Sequence, residues 1–247
     1  MERAVYDQMR VLQRDHWWFA ARREILAGQI GRLPLPRPAQ ILEAGCGPGG
    51  NLEMLKRFGE VVAIEPDDES RAYAAETFGV DVRGGFLPQS APDFGKAFDL
   101  VACFDVIEHV PDDAGAVARL GEYLKPGGYM VTTVPACPWM WSDHDAAHHH
   151  QRRYKLPAYR RLFEQAGLKV LRASHFNTLL FPPIAAVRLA KNAMGRTGGD
   201  EGMPGAPVNA LLKTVFGAER GLLAAADLPF GVSILLIAQR PLQRPAE

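Results

Sequence analysis

Ile41-Leu42-Glu43-Ala44-Gly45-Cys46-Gly47-Pro48-Gly49-Gly50 decides the fold of this chain. Four residues read as an apolar strand that carries a carboxylate, and a glycine-rich turn follows at once. Glycine lets backbone approach a ligand closely, and the start of the helix behind such a turn favours polar or anionic groups. A second apolar run, Val61-Val62-Ala63-Ile64, ends in a second carboxylate, Glu65. Strand, turn, helix, strand, acid is the outline of a pocket for a nucleoside-bearing cofactor.

Outward from that core, strand and helix patterns alternate. Strands are expected at 41–44, 61–64, 80–82, 98–104, 129–134, 168–173 and 231–238, with helices near 50–58, 67–78, 112–124 and 156–166. Asp67 or Asp68 is placed to cap the second of these helices and Asp112 the third. Lys125-Pro126-Gly127-Gly128 reads as a turn. Alternation of this kind predicts a doubly wound, mostly parallel sheet. Residues 1–38 form an N-terminal helical segment, and 39–178 with 229–243 form the core. Residues 179–228 form a helical insertion before the last strand: helices near 179–193 and 208–226 flank a Gly/Pro-rich loop at 195–207. The insertion is too apolar for a free linker, so it packs on the domain, a partner or a membrane surface. His16-Trp17-Trp18-Phe19 opens an amphipathic helix whose three aromatics cannot all face one core. Two pack inward, or the segment is a lid over a substrate.

The chain has 247 residues, 47% of them hydrophobic, and 28 basic against 28 acidic residues. That content suits one α/β domain with a large core. The balanced charge shows no basic footprint, so nucleic acid is not expected as a partner. Cys46, Cys103 and Cys137 make no disulfide framework and suit a reducing cytoplasm. The charged N-terminus lacks the apolar core of a signal peptide. No apolar run reaches the ~20 residues of a membrane span, which leaves peripheral contact open.

Gly45, Gly47 and Gly50 satisfy the dinucleotide spacing, which by itself also fits a nicotinamide or flavin enzyme. Three features point elsewhere. Glu43 stands where dinucleotide folds keep an apolar residue. Gly45, Gly47 and Gly49 fit a shorter turn. Pro48 removes a donor that a pyrophosphate would use. A carboxylate at Glu43 suits a ligand bearing a cation, and Glu65 can accept both ribose hydroxyls.

On these residues the chain resembles the class I S-adenosylmethionine-dependent methyltransferases, over roughly residues 39–175 and the last strand. Glu43-Ala44-Gly45-Cys46-Gly47-Pro48-Gly49 matches the acid-x-G-x-G-x-G turn, and Glu65-Pro66 the ribose position. Gly85-Phe86-Leu87-Pro88 matches the adenine loop, with Gly84-Gly85 where an Asp often stands. Phe104-Asp105-Val106-Ile107-Glu108-His109-Val110 resembles the fourth-strand motif and Leu124-Lys125-Pro126-Gly127-Gly128 the turn before strand five. The resemblance implies a seven-stranded, Rossmann-like sheet whose last strand runs antiparallel beside the fifth. It also implies S-adenosylmethionine as cofactor, held by Glu43, Gly45, Cys46, Gly47, Gly49, Asn51, Glu65, Pro66, Gly85, Phe86, Phe104, Asp105 and His109. His109 also reads as a support of the strand-four turn, Asp105 as a cap or a contact to a substrate amine, and Cys46 as packing.

Beyond strand five lies Trp139 to Tyr154, with four of the seven histidines. Trp141, Ser142, His144, Asp145, His150, Arg152, Arg153 and Tyr154 resemble a ubiquinone-biosynthesis-like bacterial subgroup, as do His16-Trp17-Trp18-Phe19 and Arg22-Arg23. In open α/β sheets this end of the strands faces the ligand. His144 or His150, oriented by Asp145 or Asp143, suits a general base near neutral pH. Arg152 and Arg153 suit an anion clamp. Trp18, Trp141 and Tyr154 complete the expected substrate contacts. Asp143, His144, His148 and His150 lack a known ligand spacing, so no metal is expected. The expected activity is methyl transfer to a small-molecule or lipid- or sugar-linked acceptor, O-methylation favoured. C- or N-methylation and a cofactor-binding protein without turnover are the alternatives. A monomer and a homodimer both fit.

Overall fold

The structure, a computed structural model, describes residues 3–193 and 202–242, with side chains from 6 to 191 and from 202 to 242. Most of the expected 195–207 loop, Met1, Glu2 and residue 243 therefore lie outside the described residues. In chain order the elements are α1 (Arg3–Asp15), α2 (Trp17–Ile30), β1 (Ala39–Ala44), α3 (Leu52–Lys56), β2 (Gly59–Ile64), α4 (Asp68–Phe78), β3 (Asp81–Arg83) and β4 (Phe98–Phe104). There follow α5 (Asp113–Tyr123), β5 (Leu124–Pro135), α6 (Asp143–Ala147), α7 (Leu156–Gln165), β6 (Lys169–Phe176), α8 (Phe181–Ala193), α9 (Ala206–Ala225) and β7 (Ser233–Gln239). The seven strands form one sheet in the order β3-β2-β1-β4-β5-β7-β6. β1 to β5 pair in parallel, and β7 runs antiparallel between β5 and β6.

The strand runs are apolar because helices cover both faces of the sheet. One layer buries Leu42, Val101, Met130 and Leu236 against α5 and α7. The other buries Ile41, Leu100, Val131 and Leu235 against Ile25 and Leu26 of α2 and Phe216 and Leu223 of α9. The insertion's long helix is thus part of the core. Strand order reverses between β1 and β4, so a crevice opens at their carboxyl ends.

Local chemistry sets the element ends. Asp67, rather than Asp68, accepts the Ser70 N–H at 2.8 Å and starts α4, and Asp112 accepts from Gly115 at 2.9 Å to start α5. The Lys125–Gly128 turn is instead a bulge within β5. Phe98 pairs with Leu124 but Leu100 with Tyr129, and Gly127 at φ 82° absorbs the extra residues. Arg240 beside β7 exchanges backbone bonds with Gly127 and Gly128, both at 2.9 Å, and so keeps the segment in the sheet. β6 runs on to Phe176 because it pairs with β7 as far as Ser233. The three aromatics diverge on α2. The Trp17 ring meets Phe216 edge-on at 6.0 Å, Trp18 lies 4.5 Å below the Arg22 guanidinium, and Phe19 abuts Trp18 at 5.0 Å. No described helix is long and apolar enough to cross a membrane.

Candidate active site

The glycine turn leaves β1 at the switch point. The Gly45 and Cys46 N–H groups both donate to the Ile64 carbonyl, at 2.8 and 3.1 Å, tying the turn to the end of β2. Gly45 and Gly49 lie at φ 74° and 93°, and a Cβ on either would collide with Val106 or Phe78. Glycine is required here by backbone and by space. Glu43 is 1% exposed. One of its oxygens accepts Asn51 Nδ2 at 2.8 Å, and the other has no partner. Burial pushes its carboxyl up to about 8 against the pull of Asn51 and Arg22. Glu65 accepts the Gly47 N–H at 2.7 Å, the Asp67 N–H at 2.9 Å and a side-chain hydrogen bond from Tyr6, while burial raises its pKa.

These residues fit the expected cofactor. An orphaned buried carboxylate oxygen at Glu43 suits an ammonium group, and a second acid stands at the next strand end. The expected Glu43, Gly45, Gly47, Gly49, Asn51 and Glu65 are one constellation, with Pro66 directly behind Glu65. Gly85, at φ 155°, and Phe86, 64% exposed, lie beyond β3. Cys46 is different: its side chain is buried among Leu52, Ala63, Ala74 and Val80, where it packs behind the turn.

Arg22 belongs to the N-terminal motif quoted from sequence, where it carries no assigned role. Helix α2 carries it under the sheet end, where its guanidinium pairs with Asp105. Burial lowers its pKa to about 10, opposed by Glu43 and Glu108. Asp105 sits at φ 56°, and its Oδ2 accepts from the Arg22 guanidinium. Phe104 is buried, its ring 5.9 Å from the Arg22 guanidinium.

The histidine-rich loop is organised by Asp145, which is fully buried on α6. Its Oδ2 accepts the Ser142 N–H at 2.9 Å and hydroxyl at 3.2 Å, closing a capping box. Its Oδ1 meets His150 Nδ1 at 2.8 Å and accepts Arg153 Nε at 2.7 Å. Burial raises the Asp145 pKa, but the bonds from His150 and Arg153 win and hold it well below the carboxylate range. Burial also holds His150 below its usual value, against the pull of Asp145. An ionised Asp145 makes Nδ1 the protonated nitrogen, which leaves Nε2 as the lone pair.

Gln151 N–H donates to the Glu108 carbonyl at 2.7 Å and latches this loop onto the turn after β4. The His109 and His150 rings lie 4.6 Å apart, and His144 stacks on His148 at 4.2 Å. Burial, then the neighbouring His150 and His148, pushes His109 down to about 3. Glu108 is fully buried, no other residue bonds either of its oxygens, and burial pushes it up to about 8. Ligand-type atoms of Glu108, His109 and His150 lie within 4.8 Å of one another, a donor set able to hold a divalent cation. That set differs from the Asp143, His144, His148 and His150 run weighed from sequence. Glu108 was quoted in the motif without a role, because it gains one only when the loop folds over it.

Three expected substrate contacts are corrected. Arg152 pairs with Asp113 at 2.7 Å and donates to the Pro111 carbonyl at 2.9 Å. Arg153 is buried and donates to Asp145 and, at 3.1 Å, to the Ala136 carbonyl. The Tyr154 hydroxyl donates to Asp113 at 2.8 Å. Their polar atoms are bonded within the protein and hold the loop. Trp18 is occupied by Arg22, whereas Trp141 remains 39% exposed.

Comparison with known proteins agrees with this geometry. A methyltransferase-domain family model matches residues 18–173. The chain is similar to a ubiquinone biosynthesis O-methyltransferase of Xanthomonas axonopodis pv. citri (strain 306), 34% identical over 105 residues, which cover 40% of this chain and 44% of that relative. It thus spans less than half of that curated relative's length. Among solved structures it resembles a methyltransferase in complex with the Haloferax volcanii Trm112 methyltransferase activator (TM-score 0.66, 16% identity, 98% and 97% of the two chains). It also resembles a Haemonchus contortus phosphoethanolamine N-methyltransferase 2 solved with S-adenosyl-L-methionine (TM-score 0.59, 16% identity, 88% and 52% covered). A matched methyltransferase domain, a sheet with its seventh strand antiparallel beside the fifth, and a glycine turn between Glu43 and Glu65 make this chain a member of the class I S-adenosylmethionine-dependent methyltransferases.

Proposed function

We propose that this enzyme methylates a hydroxyl oxygen of a small-molecule or lipid- or sugar-linked acceptor, with the Asp145–His150 pair taking the proton. The observation that carries the proposal is the 2.8 Å contact between His150 Nδ1 and the buried Asp145 carboxylate. Asp145 fixes the tautomer and orientation of the ring, so Nε2 is a ready proton acceptor beside Glu108 and His109. S-adenosylmethionine supplies an electrophilic methyl on a sulfonium. Glu43 and Glu65 would hold its charged and ribose ends, and Arg22 offers a buried guanidinium whose Nε has no partner.

The names of the similar ubiquinone O-methyltransferases support transfer to oxygen. An apolar rim supports an apolar acceptor body: Trp139 lies 6.1 Å from Phe181, and Phe181 lies 5.5 Å from Phe230. The three free cysteines support work in a reducing cytoplasm. The test is turnover on phenolic and enediol acceptors, followed by mass spectrometry of the product. A methyl group on oxygen supports the proposal, and exclusive C- or N-methylation contradicts it.

Unpartnered Glu108 favours a second reading, in which a divalent cation on Glu108, His109 and His150 acidifies the hydroxyl. Activity that is lost in a chelator and restored by Mn²⁺ or Zn²⁺ supports the cation. Full activity after exhaustive chelation leaves proton removal to His150 alone.

A further inference from the structure

Tyr6, Met9, Arg10 and Gln13 stand at i, i+3, i+4 and i+7 on α1, one stripe of the helix. That stripe lies over the glycine turn. Tyr6 hydrogen-bonds Glu65, and the Gln13 amide donates to the Pro48 carbonyl at 3.3 Å. The Met9 methyl is 3.8 Å from where a Cβ on Gly47 would stand, and Arg10 lies 4.8 Å from the Tyr73 ring centre. Helix α1 therefore roofs the turn and reaches the carboxylate at the end of β2.

The end of α1 is held by a distant part of the chain. α1 stops at Asp15, α2 starts at Trp17, and His16 between them is extended, with ψ 135°. Asn209, on the exposed start of α9, takes both sides of this break. Its Oδ1 accepts the Trp17 N–H at 2.8 Å, and its Nδ2 donates to the Asp15 carbonyl at 2.9 Å. Arg23 adds bonds to the Gln13 and Arg14 carbonyls. A short, planar amide bonded on both sides of one hinge senses its angle, because opening the hinge breaks at least one of the two bonds.

We propose that Asn209 is a positioning residue for cofactor capture. It clamps the hinge at His16 so that α1 closes over the glycine turn, and it makes cofactor exchange depend on the insertion helix α9. Tyr6 is the latch at the far end of the same helix, on the acid that the ribose hydroxyls use. The inference rests on the cofactor lying in the glycine turn, and it adds that one rigid helix connects Asn209 to that site.

The experiment measures release of S-adenosylhomocysteine from the loaded, full-length enzyme by stopped-flow. The proteins are wild type, Asn209→Ala, Asn209→Asp, Tyr6→Phe and the Asn209→Ala/Tyr6→Phe double variant. Loss of two hydrogen bonds at the hinge is expected to speed release about tenfold in Asn209→Ala. Asn209→Asp keeps the acceptor for Trp17 and loses the donor to Asp15, so its rate falls in between. The double variant is expected to release no faster than the faster single variant, because both open the same helix. Unchanged release in both Asn209 variants, or effects of Asn209→Ala and Tyr6→Phe that multiply, would overturn the proposal. Failure of the wild type to bind S-adenosylhomocysteine at all would remove the site on which it rests, a result distinct from either.

Discussion

In the proposed reaction His150 and Asp145 take the proton, while Glu108 is buried without a partner. His150 is useful only while Asp145 is ionised, because a neutral acid would cease to hold Nδ1–H. Replacing His150 by Ala should lower kcat by about 10²-fold or more with little change in cofactor affinity, since the ring touches the acceptor side only. Asp145→Asn should lower kcat as well, and should also loosen the loop, because Arg153 and Ser142 lose the same partner. A thermal melt separates the two effects. Because burial holds His150 below 6.5, the acid limb of the kcat/KM profile should fall below that value, and His150→Ala should abolish the limb. Glu108 gives a test in stability. Its folded pKa, about 8, lies above the unfolded value of 4.5, so the native state holds an extra proton between them. Its contribution is therefore present below 4.5 and lost as pH rises through 8. The apo enzyme should lose Tm over that window, and Glu108→Gln should flatten the decline. An unchanged slope in the variant would show that Glu108 does not titrate there.

At the scale of elements, the glycine turn was legible because its conformation admits almost no other residue. Gly49→Ala should cost about 1–3 kcal/mol, seen as a fall in Tm of several degrees, since φ 93° and the Phe78 ring both reject a Cβ. The alternating strands were legible because burial on both faces writes continuous apolar runs. The Lys125–Gly128 segment was misread as a turn because its strand character comes from Arg240, more than a hundred residues away. Roles written in tertiary contact were invisible in the same way. Arg22 and Glu108 look like ordinary charges on a helix and at a strand end until α2 and the histidine loop bury them. Arg152, Arg153 and Tyr154 look like substrate contacts until Asp113 and Asp145 appear beside them. The 6-9-10-13 spacing of α1 was available in the sequence. Its meaning required knowing that the helix crosses the glycine turn.

For the whole molecule, the sheet puts the glycine turn at the ends of β1 and β2 and the proposed acceptor side at the ends of β4 and β5, with the Arg22–Asp105 pair between them. Helices α1, α2 and α9 connect around the glycine turn, whereas the loop after α6 is latched onto the turn after β4. That division predicts separable defects: substitutions at Glu43 or Glu65 change cofactor affinity, and those at His150 change turnover. The central claim is that the glycine turn between Glu43 and Glu65 holds S-adenosylmethionine. Isothermal titration calorimetry of the wild type and Glu65→Ala tests it most directly. Binding of S-adenosylmethionine by the wild type, weakened about tenfold or more in Glu65→Ala, with no binding of NAD(H), is the predicted result. Binding of NAD(H) in place of S-adenosylmethionine, or equal affinity in the variant, would contradict it.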